Sequence, residues 1–251
     1  MSNVAADISD KVILITGGAK GIGGATAQLC AERNAVVIIA DRDQEKGTDL
    51  AQELQIAGHR AYFYALDVRD ENAVQALIAY IQEKHNRLDV LICSAGILEG
   101  ASLQPDVFPM EIFDRVMDIN VRGMFMCVKY AVPLLDQSEN GCIILVGSVA
   151  GVLGGSSSIA YGASKGAVNG MGMALEHHLA SRRIRVNVVW PGGIETDLKL
   201  RQMQAVAEAQ GQPFDAVEAA QRLGSPRGVA KQIAYLASDD ADYMRRNIIT
   251  R

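Results

Sequence analysis

Tyr161 and Lys165 lie four residues apart, and on a helix that spacing places both side chains on one face. A free phenol titrates near ~10 and is a poor base at neutral pH. An ammonium held beside it stabilises the phenolate and lowers that pKa. Ser148 stands thirteen residues before Tyr161, at the end of an apolar run, where its hydroxyl could hold the same substrate oxygen. These residue types predict proton exchange with an alcohol or carbonyl oxygen.

A glycine-rich segment, Thr16–Gly23, connects the first apolar run to the first helical pattern. Glycine permits positive φ and a close approach of the backbone to a phosphate. The helix that follows offers free N–H groups and a positive dipole end to a pyrophosphate. An ordinary tight strand–helix turn is the alternative, but it needs only one or two glycines. Four glycines in eight residues predict a dinucleotide site.

Asp41 ends the second predicted strand, where a carboxylate can accept hydrogen bonds from the adenosine ribose hydroxyls and repel a 2′-phosphate. That position favours NAD over NADP. A turn aspartate is the alternative. Lys20 and Arg42 oppose the preference for NAD, since either side chain could reach a 2′-phosphate.

Short apolar runs alternate with segments of helix length along the whole chain. This alternation predicts an α/β fold with one Rossmann-like, doubly wound parallel sheet and helices on both faces. The predicted strands are Val12–Thr16, Ala35–Ala40, Ala61–Ala65, Val90–Ser94, Cys142–Val146 and Arg185–Val189. The predicted helices are Ile22–Arg33, Gln44–Ala57, Glu71–Asn86, Glu111–Leu135 and Tyr161–Ser181.

No linker or repeat divides the chain, so residues 1–251 are predicted to form a single domain. Two stretches interrupt the alternation, Leu98–Pro109 and residues 193–225. Insertions after the carboxyl ends of strands are where open α/β sheets bind ligands. The second stretch is polar, contains a helical pattern at Asp197–Gln210, and is interpreted as a mobile substrate lid.

Together these residues resemble the classical short-chain dehydrogenase/reductase family over about residues 8–244. The matching motifs are Thr16–Gly23, Asp67-Val68, Ala95-Gly96, Asn120, Ser148, Tyr161-xxx-Lys165 and Pro191-Gly192 with Thr196. The resemblance implies a seven-stranded parallel sheet, a nicotinamide cofactor and a homodimer or homotetramer.

By the resemblance, Tyr161 is the general acid/base and Ser148 positions the substrate oxygen. Lys165 would bind the nicotinamide ribose and lower the pKa of Tyr161. Asn120 would hold a helix distortion and a water that relays protons. The implied cofactor-binding residues are Gly17, Lys20, Gly21, Ile22, Gly23, Asp41, Arg42, Asp67, Val68, Ser94, Ala95, Gly96, Tyr161, Lys165, Pro191, Gly192, Ile194 and Thr196.

Two departures from the family pattern stand out. Cys93-Ser94 replace a pair of asparagines that stabilise the central sheet, so the expected effect is on stability more than on chemistry. Arg245-Arg246 stand where relatives have a Thr-Gly turn, and the usual Asp-Gly-Gly tail is missing. The second departure predicts a seventh strand that is short or absent and a weakened assembly through it.

Composition excludes several classes of protein. The net charge of -5 argues against a general nucleic-acid binder. The four cysteines stand among apolar neighbours, and neither they nor the four histidines have metal-site spacing, so no metal is expected. No secretory signal and no bilayer-length apolar run is visible, so a cytoplasmic protein without membrane partners is expected.

The sequence therefore predicts a cytosolic NAD(H)-dependent oxidoreductase that interconverts a small secondary alcohol and a ketone. The alternatives are an NADP(H)-linked carbonyl reductase and a nucleotide-binding protein without turnover. The expected substrate-pocket residues are Leu98, Glu99, Val149, Leu153, Gly154, Gly155, Gly193, Leu198 and Met203. Their few charges argue against a strongly anionic substrate. The broadly apolar helices Glu111–Leu135 and Tyr161–Ser181 are expected to form a two-fold dimer interface.

Overall fold

Seven parallel strands form the centre of the protein, in a computed structural model that describes residues 6–249 and the side chains of residues 6–246. The strands are β1 Val12–Thr16, β2 Val36–Asp41, β3 Arg60–Ala65, β4 Val90–Cys93, β5 Cys142–Val146, β6 Arg185–Trp190 and β7 Arg246–Ile249. The helices are α1 Gly21–Glu32, α2 Gln44–Ile56, α3 Glu71–His85, α4 Met110–Met117, α5 Met124–Leu135, α6 Ile159–Leu179, α7 Asp197–Ala209, α8 Ala216–Gln221 and α9 Pro226–Ala237.

The strand order is β3-β2-β1-β4-β5-β6-β7, and every neighbouring pair is parallel. The chain runs outward from β1 in one direction and then returns to run outward from β4 in the other. The carboxyl ends of β1 and β4 therefore flank the point at which the strand order reverses, which is where sheets of this kind bind nucleotides.

Both faces of the sheet are covered, and its central strands β1, β4 and β5 are almost entirely apolar. Along β1, Val12 and Leu14 pack on the face that carries α3, α5 and α6, while Ile13 and Ile15 pack on the face that carries α1 and α9. All four side chains are almost fully buried. Continuous apolar strands of this kind are typical of parallel sheets sandwiched between helices.

The predicted helix Glu111–Leu135 is interrupted by a π turn, Asp118–Gly123, between α4 and α5. At Gly123 a Cβ would lie 2.7 Å from a methyl carbon of Val68, so only glycine lets this turn approach the loop after β3 so closely. Single π turns inside α-helices are frequent at functional sites.

Two elements near the end of the chain test the expectations from the sequence. Helix α9 was not predicted, although it packs extensively on α1 and fills the layer beside β5. The seventh strand, expected to be short or absent, is present as the four residues Arg246–Ile249 and pairs with β6. The last two residues lie outside the described part of the chain.

The substituted pair Cys93-Ser94 lies where β4 ends beside β1. The register of the two strands runs without interruption to the pair Thr16 and Cys93, and the Ser94 N–H donates to the Thr16 carbonyl at 3.0 Å. The central sheet therefore keeps its backbone pairing at this position.

Candidate active site

The glycine-rich loop between β1 and α1 is packed so tightly that side chains are excluded by backbone atoms. Gly17 has φ +68°, and a Cβ there would lie 2.6 Å from the backbone nitrogen of Ala95. A Cβ on Gly23 would lie 2.1 Å from the carbonyl oxygen of Gly17. The first turn of α1 therefore packs directly against the loop. Its free N–H groups lie at the point where the strand order of the sheet reverses. This cradle fits a dinucleotide pyrophosphate.

A single cavity of about 640 Å³ runs along the carboxyl edge of the sheet from this loop to α7. It is lined by almost all of the site residues predicted from the sequence. These are Gly17, Lys20, Gly21, Ile22, Asp41, Arg42, Asp67, Val68, Ser94, Ala95, Gly96, Ser148, Tyr161, Lys165, Pro191, Gly192, Ile194 and Thr196. Two predicted residues, Gly23 and Asn120, lie behind the wall and support it.

At the adenosine end, the Asp41 carboxylate is held by two backbone donors. Its Oδ2 accepts from Ala19 N at 3.1 Å, and its Oδ1 accepts from Asp43 N at 3.0 Å. Lys20, one of the two cations expected to oppose NAD, pairs instead with the Asp43 carboxylate at 3.1 Å. Two carboxylates and a paired lysine therefore surround this end of the cavity, and Arg42 lines it as well.

Asp67, expected at the adenine edge, also lines the cavity, but its carboxylate is bound by Arg69 through the backbone and the guanidinium. The hydrogen bond from the Arg69 side chain is the largest cause that lowers the pKa of Asp67, and burial opposes it. The carboxylate is therefore ionised at neutral pH and already has a cationic partner.

Ser148 and Tyr161 are brought together by the turn after β5 and the start of α6. Ser148 caps the 3₁₀ turn Val149–Gly151 by accepting from Ala150 N at 3.2 Å. A Cβ on Gly151 would lie 2.3 Å from the carbonyl carbon of Lys165, so this turn packs directly on the α6 backbone. Burial raises the pKa of Tyr161 above its ordinary value, and a hydrogen bond with the Ser148 side chain partly offsets that increase.

Lys165 follows one helical turn after Tyr161, and its Nζ lies 5.6 Å from the centre of the phenol ring. The ammonium donates to the carbonyl oxygen of Val146 at 2.8 Å. Burial lowers the pKa of Lys165 to about 8, because the charged form is poorly solvated there. The expected lowering of the Tyr161 pKa by Lys165 is thus not seen in this arrangement, in which burial is the largest influence on both groups.

Asn120 lies fully buried in the π turn and fastens it to the loop after β4. Its Oδ1 accepts from Ile97 N at 2.8 Å, while its Nδ2 donates to Ile97 O at 2.9 Å and to Ser164 Oγ at 3.0 Å. Ser164 in turn donates to the Tyr161 carbonyl at 2.8 Å. The expected helix distortion is therefore present, and a hydrogen-bonded chain connects it to the helix that carries Tyr161.

At the opposite end of the cavity, six of the nine residues expected in a substrate pocket line the cavity. Leu98, Val149, Gly154, Gly155, Gly193 and Leu198 line the cavity, whereas Glu99, Leu153 and Met203 do not. Glu99 forms an ion pair with Arg115, and Leu153 is 71% exposed.

Sequence reasoning missed several polar residues that line the same cavity, among them Asp43, Asp197, Lys199 and Gln202. Asp43 carries a usable signal, because it precedes a helix and its side chain accepts from Lys46 N. Lys199 and Gln202 stand in a polar helix and carry no comparable signal.

Comparison with known proteins agrees with this architecture. The sequence profile of the short chain dehydrogenase family matches residues 11–207. A 3-oxoacyl-acyl-carrier-protein reductase of Thermotoga maritima is 35% identical over 244 residues, which cover 96% of each chain. A cis-4-hydroxycyclohexanecarboxylate dehydrogenase of Sinomonas cyclohexanicum is 36% identical over 94% of this chain and 92% of the relative.

A short chain dehydrogenase from Shigella flexneri, solved in complex with NADP, has a similar structure, with a TM-score of 0.85 and 28% identity over 98% of each chain. The chain thus belongs to the short chain dehydrogenase family. It is an NAD(P)-dependent oxidoreductase that acts on CH–OH groups.

Within residues 6–249, no cluster of three or more histidine, cysteine, aspartate or glutamate side chains is arranged to hold a metal ion. None of the helices in that part of the chain combines the length and the apolar character that crossing a bilayer requires.

Proposed function

We propose that this protein transfers a hydride between NAD(H) and a secondary alcohol or ketone, with Tyr161 as the general acid/base. The observation that carries the proposal is the arrangement of Ser148, Tyr161 and Lys165 in one cavity with the glycine-rich loop. Tyr161 and Ser148 both line that cavity, and the Ser148 hydroxyl is close enough to the phenol to oppose the rise in pKa that burial causes.

In the direction of reduction, Tyr161 donates its phenolic proton to the carbonyl oxygen of the substrate. Ser148 donates a hydrogen bond to the same oxygen and holds it near the phenol. Lys165 carries a positive charge at neutral pH, because its pKa of about 8 lies above 7, and stabilises the phenolate that forms. The nicotinamide supplies or accepts the hydride. In the direction of oxidation the proton moves the opposite way.

The test is Tyr161→Phe, which keeps the ring and removes only the hydroxyl. General acid/base groups contribute ~10²–10⁴-fold to the rate, so we expect a loss of that size in kcat with little change in cofactor affinity. Tyr62→Phe is the matched control, since its partly exposed ring lies on β3 outside the cavity. Turnover of Tyr161→Phe within a few-fold of the parent would contradict the assignment.

The activity of the parent protein separates the proposal from the alternative of a nucleotide-binding protein without turnover. That alternative predicts cofactor binding and no oxidation or reduction by the parent protein across a panel of secondary alcohols and ketones. Absorbance of the reduced nicotinamide distinguishes the two directly.

We propose NAD as the preferred cofactor. Asp41 and Asp43 place two carboxylates at the adenosine end, and the Lys20 ammonium is engaged by Asp43. The relative solved with NADP supports the alternative, an NADP(H)-linked carbonyl reductase.

The cofactor test is kcat/KM with both cofactors for the parent, for Asp41→Ser and for the exposed control Asp49→Ser. Removing one carboxylate from beside a 2′-phosphate should lower the ratio of kcat/KM with NAD to kcat/KM with NADP by roughly tenfold or more. A parent that prefers NADP would show that Lys20 and Arg42 outweigh the carboxylates.

The substrate is proposed to enter beneath residues 193–225, which act as a lid on a single domain. The relatives' names describe a reduced 3-oxoacyl group and an oxidised ring hydroxyl. In both cases the reacting carbon is a secondary centre that is a ketone when oxidised and an alcohol when reduced. That class of reacting group is the one proposed for this chain.

The protein is also proposed to form homodimers through α5 and α6, or homotetramers built from such dimers. Phe125 on α5 is 47% exposed and Met173 on α6 is 46% exposed, and large apolar side chains of this kind favour burial against a second copy. A cytoplasmic location is proposed as well, supported by four cysteines that are buried free thiols.

A further inference from the structure

Lys199 is a cation in the cavity wall that neither the nucleotide site nor the proposed proton transfer uses. It stands in the first turn of α7, lines the same cavity as Ser148 and Tyr161, and is half-buried. Its Nζ donates to the Gln202 side-chain oxygen at 2.8 Å, and Gln202 also lines the cavity. The ammonium and the amide therefore form a small polar group in a stretch of the cavity wall that also contains Thr196, Asp197 and Leu198.

The charge of Lys199 is not neutralised by the protein. In the part of the chain that the structure describes, no carboxylate lies within salt-bridge distance of its Nζ. Most other charged groups of the cavity are engaged: Lys20 with Asp43, Asp67 with Arg69, and Asp197 with Lys46 at 3.7 Å. Burial lowers the pKa of Lys199, and no opposing charge contributes to the shift. A half-buried ammonium without a protein counter-ion is available to pair with an anion of a ligand, and partial desolvation strengthens such a pair.

The direction of the side chain indicates which end of the cleft it serves. Thr196, at the start of α7, lies above the glycine-rich loop, since a Cβ on Gly21 would come within 3.3 Å of its methyl carbon. The hydrogen bond to Gln202 directs the Lys199 ammonium toward the next turn of α7. The pyrophosphate cradle is also already supplied with backbone N–H groups.

We propose that Lys199, oriented by Gln202, binds an anionic group of the substrate, so that the preferred substrate is an oxo or hydroxy acid whose carboxylate lies away from the reacting carbon. This inference rests on the proposed function, because it assigns the substrate class of the same site. It also reverses the expectation from sequence that the pocket has too few charges for an anion. The hydrogen bond from a lysine ammonium to a carboxylate is charge-assisted, and it is stronger than a hydrogen bond between neutral groups.

The experiment uses pairs of ketones that differ only in charge. The probes are 4-oxocyclohexanecarboxylate, 4-oxopentanoate and 6-oxoheptanoate, each beside its methyl ester. Binding to the complex of the protein with oxidised cofactor, which cannot reduce a ketone, is followed by isothermal titration calorimetry, so the readout does not depend on turnover. We expect at least one acid to bind more tightly than its ester, and Lys199→Met to weaken that acid roughly 10- to 100-fold.

Three controls isolate the effect of the charge. The ester should change by no more than about threefold in Lys199→Met. Lys199→Arg should retain the preference for the acid. Lys231→Met makes the same change on the exposed surface of α9 and should leave every affinity as in the parent. Methionine and lysine have similar helix propensities, so thermal unfolding should be unchanged.

Three results would overturn the proposal. The first is that no acid binds better than its ester in the parent, and the second is that Lys199→Met weakens acid and ester equally. The third is that Lys199→Met instead weakens binding of the oxidised cofactor, which would assign the lysine to the pyrophosphate. Turnover of the neutral esters, measured separately in the parent and in Tyr161→Phe, tests the proposed function. Esters that react with no preference for acids would therefore refute this inference alone.

Discussion

The two ends of the cleft are built in different ways. At the nucleotide end, glycines let backbone meet backbone, and added Cβ atoms at Gly17 and Gly23 would lie under 3 Å from main-chain atoms. At the substrate end, α7 has no buried residue, and a Cβ on Gly154 or Gly155 would meet nothing within 4 Å. If the two ends hold cofactor and substrate as proposed, cofactor geometry is fixed by the main chain, whereas substrate choice depends on side chains lying on a loosely packed helix. Such weakly packed elements are the ones that open most easily.

Gly23→Ala should produce the largest effect, because it adds one methyl group at the most tightly packed point of the loop. The new Cβ would be placed 2.1 Å from the Gly17 carbonyl oxygen, so loop or helix must shift. We expect cofactor affinity to fall on the order of 100-fold, since the cradle must move by a large fraction of an ångström. Isothermal titration with NADH measures the loss.

Gly228→Ala is the matched control for this substitution, because its Cβ would meet nothing within 4 Å on α9. It should bind cofactor as the parent does and gain up to about 1 kcal/mol of stability from helix propensity. If Gly23→Ala also bound normally, the nucleotide end would be no more rigid than the lid.

The difference between the two ends of the cleft explains which features of the fold and the site could be predicted from the sequence. Six strands were predicted to within a residue or so of their observed ends, because continuous apolar runs have few alternatives to a buried strand. Asn120 was placed correctly at a helix distortion, because asparagine and Gly123 both weaken a helix. Such features follow from backbone constraints, which individual residue types reveal.

What the sequence did not reveal depends on packing in three dimensions. Helix α9 was missed although Ser225 caps it and Pro226 occupies its first position, signals that lay just beyond the supposed lid. The partners of Lys20, Asp67 and Lys199 could not be foreseen, since each is set by where neighbouring side chains point. The rise in the pKa of Tyr161 that burial causes likewise depends on packing that the sequence does not show.

Lys165 stands at the junction of the two regions, and its burial should have a measurable cost in stability. Lys165→Met should unfold at a higher urea concentration than the parent at pH 7, although it is expected to lose turnover. The variant removes an ammonium whose pKa is lowered to about 8 by burial. The difference in the free energy of unfolding should be on the order of a few kcal/mol.

The stability difference between the parent and Lys165→Met should depend on pH, because Lys165 loses its proton at a lower pH in the folded than in the unfolded protein. Below pH 8 the lysine is charged in both the folded and the unfolded protein, and the folded state bears the full desolvation cost. Between 8 and ~10.5 the unfolded chain binds more protons, so the stability of the parent rises with pH relative to the variant. Urea denaturation at pH 7, 8, 9 and 10 measures the change. A parent–variant difference that stays constant, as expected for the exposed control Lys231→Met, would mean that Lys165 is not desolvated.

The smallest effect is expected in the lid, from Met203→Ala on α7. Met203 is only partly buried and α7 has no buried residue, so the truncated side chain leaves no cavity. The free energy of unfolding should change by less than about 1 kcal/mol, a shift of roughly 2–4 °C or less in Tm. Leu14→Ala, a comparable truncation in the middle of β1 at 1% exposure, should instead cost about 2–5 kcal/mol. Calorimetry of both variants measures this contrast. If Met203→Ala destabilised the protein as much as Leu14→Ala, α7 would be part of the cooperative core, and the separation between a fixed cofactor end and an adaptable substrate end would have to be abandoned.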